Sequence, residues 1–258
     1  MLIPEIMTIA GLSIVAGFVC FFCAMVGSGS GLILVPLMII SGLTPVQAIA
    51  IHKFESLWTV ASGWRYYKSG TFLKMDFSFY LVLGLLGSYI GARFIHFIPN
   101  DVLQIVVAVF ILLVAVFINF SGKLKSNGSI SPLKRFILII SMFFFGLYEG
   151  TFGSGNGFFI AALFFFLIGS DERKTVGMIT ILAAFWNIAA TLTHFSFGSL
   201  LWQYALPMGS MAMLGGWFGA GYALHMDKEM IRKVIFLIAG TGGLIMLAQA
   251  LIRYEVFA

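Results

Sequence analysis

Two glycine-rich pentads carry the strongest chemical signal in the sequence: Gly27-Ser28-Gly29-Ser30-Gly31 and Gly153-Ser154-Gly155-Asn156-Gly157. Each breaks a long apolar run and is followed by a short one. Consecutive backbone N–H groups in a glycine turn form a concave nest, and a helix that starts there turns its positive end towards the same point. Both features favour an anion, and Ser28, Ser30, Ser154 and Asn156 add side-chain donors. Close helix packing is the plainer reading of the glycines, but packing does not call for polar turns. Neither pentad has the spacing, the lysine or the βαβ setting of a P-loop or a dinucleotide fingerprint.

A second cluster reads His52-Lys53-Phe54-Glu55-Ser56. Ionisable side chains at membrane depth are costly, so they are paired or functional. Lys53 could neutralise an anion held by the pentads. His52 could donate to that anion or carry a coupled proton. Glu55 could pair with Lys53 or exchange protons. The bland alternative is a headgroup-level cluster whose long side chains snorkel. Glu149, just before the second pentad, is a further candidate proton site or a structural partner of the turn, and His194 is a third. Trp186 and Asn187 are candidate cavity-lining residues, with packing the alternative for the indole. Cys20 and Cys23 lie within one apolar run, where their spacing reads as packing. His52, His96, His194 and His225 are scattered, and no metal cluster or hydrolase triad is apparent.

These residues must be positioned by helices in a membrane. Only 10% of the 258 residues are charged and 60% are apolar, with a mean hydropathy of +1.04. A water-soluble surface needs roughly 25% charge, and disorder needs low hydropathy, so both are excluded. A crossing takes ~20 apolar residues. Eight runs qualify, at 5–26, 45–67, 77–98, 101–119, 133–152, 175–196, 203–224 and 231–252. They are apolar all round, without the alternation of a transmembrane barrel. Two shorter runs, 32–41 and 158–169, follow the pentads. The N-terminus MLIPEIM has no basic region of the kind that opens a cleavable signal.

The chain repeats itself. The pentads are 126 residues apart; beyond them Trp58 matches Trp186, Gly70 matches Gly198, Gly87 matches Gly215 and Gly91-Ala92 matches Gly219-Ala220 at an offset of 128. The polar segment 120–132 divides a first transmembrane repeat, 1–119, from a second, 133–258. The expected fold is therefore an all-α polytopic membrane protein of two homologous repeats. Each has about four long helices and a short helix after its glycine-rich break. The net charge of +5 lies in short loops, which reads as membrane orientation rather than nucleic-acid binding. Loops 65–76 and 120–135 share a face, cytoplasmic by the positive-inside rule. If the short helices are re-entrant, the repeats are parallel and Arg173, Lys174, Lys228, Arg232 and Lys233 fall outside. If each short helix completes a crossing, the repeats are inverted and all five fall inside. Charge favours inversion; the shortness of 5–42 and 133–169 resists it.

The segments GSGSGLILVPLMIISGLTPVQAIAIHKFESLWTVASGWRYYKSG and GLYEGTFGSGNGFFIAALFFFLIGSDERKTVGMITILAAFWNIAATLTHFSFGSL resemble the two half-motifs of the sulfite exporter TauE/SafE family, also called the toluene sulfonate uptake permeases. The resemblance covers nearly the whole chain. It implies a bacterial inner-membrane secondary transporter of sulfite, thiosulfate or an organosulfonate such as sulfoacetate, with no enzyme activity and no bound cofactor. By position it assigns the two pentads, Lys53 and Asn187 to the family's signatures. His52 stands where the family commonly has Asn, and Glu55 and Glu149 where neutral residues are expected, which points to a specialised anion or to proton coupling. Alternating access of one repeat against the other is the expected mechanism; an anion channel is the rival. The expected partners are a small anion and the lipid bilayer, without nucleic acid, and a homo-oligomer is left open.

Overall fold

The computed structural model describes residues 2–70, 73–121, 131–223 and Leu244. Among these residues every element is helical: α1 (Leu2–Val26), α2 (Ser30–Ile40), α3 (Pro45–Leu57), α4 (Val60–Lys68), α5 (Phe77–Phe94), a 3₁₀ turn (Ile95–Phe97), α6 (Asn100–Ser121), α7 (Pro132–Thr151), α8 (Asn156–Ile168), α9 (Glu172–Ser196) and α10 (Trp202–Tyr222). The expected run 231–252, most of linker 120–132, and Lys228, Arg232 and Lys233 lie outside the described residues.

Local sequence explains several boundaries. Thr44 and Gln47 form a reciprocal capping box ahead of α3, with Pro45 at the first helical position, where its missing N–H costs nothing. Ser131 and Asp171 cap α7 and α9 by accepting from the backbone N–H of Lys134 and Lys174. Both pentads break the chain between helices. Gly27 and Gly29 have φ of 78° and 111°, and Gly153 and Gly155 have 65° and 81°. This left-handed region is open to glycine at no steric cost.

One expectation is corrected. The run 45–67 is not a single helix. It is divided at Trp58-Thr59, where the N–H groups of Trp58 and Thr59 donate to the carbonyls of Glu55 and Ser56 in tight i→i−3 bonds. Thr59 Oγ1 donates to Ser56 O at 2.7 Å and reaches Thr180 O on α9 at 3.3 Å. A hydroxyl that competes for the carbonyls of the preceding turn distorts a helix. The matching stretch of α9 runs through unbroken.

By length and composition, the segments Glu5–Met25, Phe77–Phe97 and Lys174–Ser196 can each cross a membrane. Large apolar side chains cover their outer faces, among them Phe18, Phe79, Leu86 and Leu192. Interior contacts are set by small residues. α5 packs along α7, and α1 along α10. A Cβ at Gly87 would strike the carbonyl oxygen of Phe143, and one at Gly91 that of Leu147; Gly215 and Gly219 stand in the same way over the carbonyls of Gly17 and Phe21. Glycines let membrane helices approach to backbone contact.

Two clusters tie the loops. Near one end the N–H of Leu73 donates to Lys174 O at 3.1 Å, and Arg135 Nε donates to Asp76 Oδ2 at 2.6 Å. At the far end of α5 and α9, His96 Nε2 lies 3.0 Å from His194 Nδ1, and the His96 ring stacks on Phe197 with centroids 4.0 Å apart.

Candidate functional site

The two breaks meet. Ser28 Oγ accepts from the backbone N–H of Gly157 at 3.0 Å. Conversely, a Cβ at Gly31 would collide with Ser154 Oγ and with His52 Nε2. Each pentad's first serine thus lies against the last glycine of the other. Around this junction is a cavity of about 60 Å³, several times the ~10–15 Å³ that one water needs. Both pentads line it, with Cys20, Cys23, His52, Ser56, Thr59, Ser62, Glu149, Thr180 and Asn187. Its polar wall carries hydroxyls and the first turns of α2 and α8; at α8 the N–H of Asn156 donates to Gly153 O, that of Gly157 to Ser28 Oγ and that of Phe158 to Gly155 O, and at α2 the N–H of Leu32 donates to Gly29 O.

Behind the wall lie two buried charge clusters. In the first, His52 Nδ1 is 2.8 Å from Glu55 Oε2, and Cys20 Sγ donates to Glu55 Oε1 at 2.8 Å. With Glu55 ionised, Nδ1–H is the donor. Both hydrogen bonds of His52 are made through Nδ1, so Nε2 is left on the cavity side. In the second, Glu149 accepts from three residues: Lys53 Nζ at 3.4 Å and Asn187 Nδ2 at 3.0 Å on Oε1, and Asn156 Nδ2 at 2.9 Å on Oε2. Lys53 is fully buried, and its ammonium lies where a Cβ on Gly153 would stand. The carbonyl oxygens of Asn156 and Asn187 have no hydrogen-bond partner among the described residues.

The candidate residues are therefore distributed as follows. The pentads, His52, Lys53, Glu55, Glu149 and Asn187 come together in or directly behind one cavity. Lys53 does not pair with Glu55 but with Glu149, and Glu55 pairs with His52. Trp186 lies apart from the cavity wall: its indole covers Gly84 and donates to Leu81 O at 3.2 Å. His194 lies at the other end of α9, against His96. Sequence reasoning missed Cys20, read there as packing only, together with Ser56, Thr59, Ser62 and Thr180. A signal was available for the cysteines, since Cys20, Cys23 and Gly27 recur at i, i+3 and i+7, a single helix face leading into the pentad.

A bundle of apolar helices, with two glycine-broken helices meeting at a polar cavity, defines a membrane transport protein rather than a soluble domain. A model of the family described as sulfite exporter TauE/SafE matches residues 12–246, and the chain belongs to that family. It is 25% identical over 229 residues to "Probable membrane transporter protein ORF9" of Sinorhizobium sp, covering 87% of each chain. It is 25% identical over 226 residues to a "Probable membrane transporter protein" of Haemophilus influenzae, covering 86% of this chain and 88% of the other. "Probable membrane transporter protein YfcA" of Escherichia coli strain K12 is 24% identical over 230 residues, 86% of each. No solved structure matches the chain.

Proposed function

We propose that the protein is a secondary transporter of a small sulfur-containing anion (sulfite, thiosulfate or an organosulfonate such as sulfoacetate), working by alternating access in the bacterial inner membrane. The observation that carries this reading is the meeting of the two pentads around one small donor-lined cavity. Discontinuous helices whose N-terminal ends converge near the middle of a bundle are how transporters hold anionic groups. The interlock of Ser28 with Gly157 favours a carrier over a channel, because a channel needs a continuous pore with weak successive sites.

The inverted arrangement belongs to the same proposal. In a parallel arrangement Lys174 would face away from loop 65–76, whereas the Leu73–Lys174 hydrogen bond holds these segments together. The contacts of Gly87 and Gly91 with α7 recur, at matching positions, in those of Gly215 and Gly219 with α1. Loop 120–132 is then cytoplasmic. The test is binding of sulfite, thiosulfate, sulfoacetate, taurine, sulfate and chloride to the purified protein, followed by counterflow in proteoliposomes. Saturable flux accelerated by substrate on the far side is expected. Non-saturating flux without that acceleration would make it a channel, and no binding to any of the six would remove the reading.

A further inference from the structure

We infer that each anion enters this cavity together with a proton, taken up at Nε2 of His52, so that a monoanion is carried by electroneutral proton symport. This rests on the anion-transport reading above and adds its co-substrate.

The titratable and charged groups around His52 are Lys53 and Glu55 on its own helix, Cys20 and Cys23 on α1, and Glu149 on α7. The pentads, α2 and α9 contribute neutral hydroxyl, amide and N–H groups. Lys53 is already balanced by Glu149. It is therefore not a free countercharge for an anion. Glu55 remains, so with Glu55 ionised and the imidazole neutral the cavity carries one net negative charge. A monoanion entering alone would raise this to two in a space that holds little water, where like charges at short range repel strongly. One proton per monoanion removes that penalty.

Geometry then selects the atom. Both oxygens of Glu149 are engaged, Oε1 by Lys53 and Asn187 and Oε2 by Asn156. Both oxygens of Glu55 are engaged, by Cys20 and His52. His52 Nε2 is the basic atom left facing the cavity, beside Gly31 and Ser154 Oγ. Glu55 on Nδ1 orients the ring and stabilises the imidazolium, as a carboxylate does for histidines elsewhere. Protonation turns Nε2 from an acceptor into a charged donor, aimed where an oxyanion can also meet Ser154.

The energetic consequence is a direction. An uncoupled monoanion leaves a negative-inside cell downhill, by ~2.3 kcal/mol per 100 mV. Joined to one proton it no longer senses the potential, and an acidic exterior drives it inward.

The test uses methanesulfonate, a monoanion of fixed charge, and the purified protein in detergent. Calorimetry in buffers of different ionisation heat is expected to count about one proton taken up per anion. Affinity should weaken as the pH rises, by up to about tenfold per unit, because proton and anion are taken up together. Glu55→Gln removes the surplus charge, so binding should persist at high pH and the proton count should fall; the double variant His52→Asn, Glu55→Gln should bind without pH dependence. In proteoliposomes, wild-type uptake should follow the pH gradient and ignore a potassium-diffusion potential. A proton count of zero with binding intact, or flux driven by potential alone, would overturn the symport and leave the anion carrier standing. If methanesulfonate does not bind at any pH, the symport inference falls, and the six-anion panel decides the transporter reading separately.

Discussion

Ser28 Oγ and the backbone N–H of Gly157, 129 residues apart in sequence, form a 3.0 Å hydrogen bond across the centre of the molecule. The bond joins the loop after α1 to the first turn of α8. Any motion that moves the pentads apart must break it. Its hydroxyl proton is still free to be donated, so Ser28 can serve the cavity and the interlock at once.

The last glycines of the pentads are expected to tolerate no side chain. Gly31→Ala places a methyl on His52 Nε2 and Ser154 Oγ. Since Glu55 restrains the imidazole, the displaced ring should cost anion binding at least about tenfold, one lost hydrogen bond to a charged group being worth ~1.5–3 kcal/mol. Gly11→Ala, whose added carbon meets no atom within 4 Å, is the control. Binding of the same anion by both folded variants measures the difference; equal affinity would return the pentads to a packing role.

Lys53 and Glu149 should be removable together more safely than singly. Lys53→Met leaves a buried carboxylate with only amide donors, and breaking such a pair costs ~3–5 kcal/mol. The double variant Lys53→Met, Glu149→Gln leaves no lone charge and should recover most of that loss. Thermal unfolding in detergent reads both. A Lys53→Met protein as stable as wild type would mean that the ion pair contributes little.

The glycine contacts between α5 and α7 can be tested by unfolding. Gly91→Ala forces a methyl against the backbone of Leu147 and Thr151, which no rotamer change relieves. Overpacking of this kind costs ~1–3 kcal/mol, and for a chain of this size each kcal/mol lowers Tm by ~2–4 °C. Gly219→Ala should cost a similar amount at α1. An unchanged Tm in either variant would show that the helices part without penalty.

Orientation has a direct test. In a background lacking Cys20 and Cys23, a cysteine at Ser199 should label with an impermeant reagent from outside, and one at Lys174 only after permeabilisation. The reverse pattern, Lys174 labelled from outside and Ser199 only after permeabilisation, would reject the inverted arrangement.

The pentads were legible because residue type alone signals them: five small or polar residues have no reason to interrupt an apolar run. The helices were legible for the same reason. What could not be read was which buried charge meets which. Lys53 and Glu149 are 96 residues apart, and Cys20 and Glu55 are 35; nothing local links them. Neighbourhood in sequence favoured a Lys53–Glu55 pair. The helix period puts His52, three residues before Glu55, on its face, and Lys53, two residues before it, on another. The break at Trp58-Thr59 carries neither glycine nor proline. It depends on a threonine hydroxyl that also reaches across to Thr180, a tertiary contact. His194 lies two helical turns beyond Asn187 on α9, against His96.

The pairing of α1 with α10 bears on how the protein is made. α1 leaves the ribosome well before α10, yet the carbonyls of Gly17 and Phe21 are met by Gly215 and Gly219, near the end of the described chain. At ~5–20 residues per second, α1 waits roughly 10–40 s for its partner. During that wait its small-residue face is open to lipid or to other nascent helices. The halves cannot therefore mature one after the other as separate units. Shielding of α1 through that interval, by a chaperone or the insertion machinery, is expected to raise the yield of this protein.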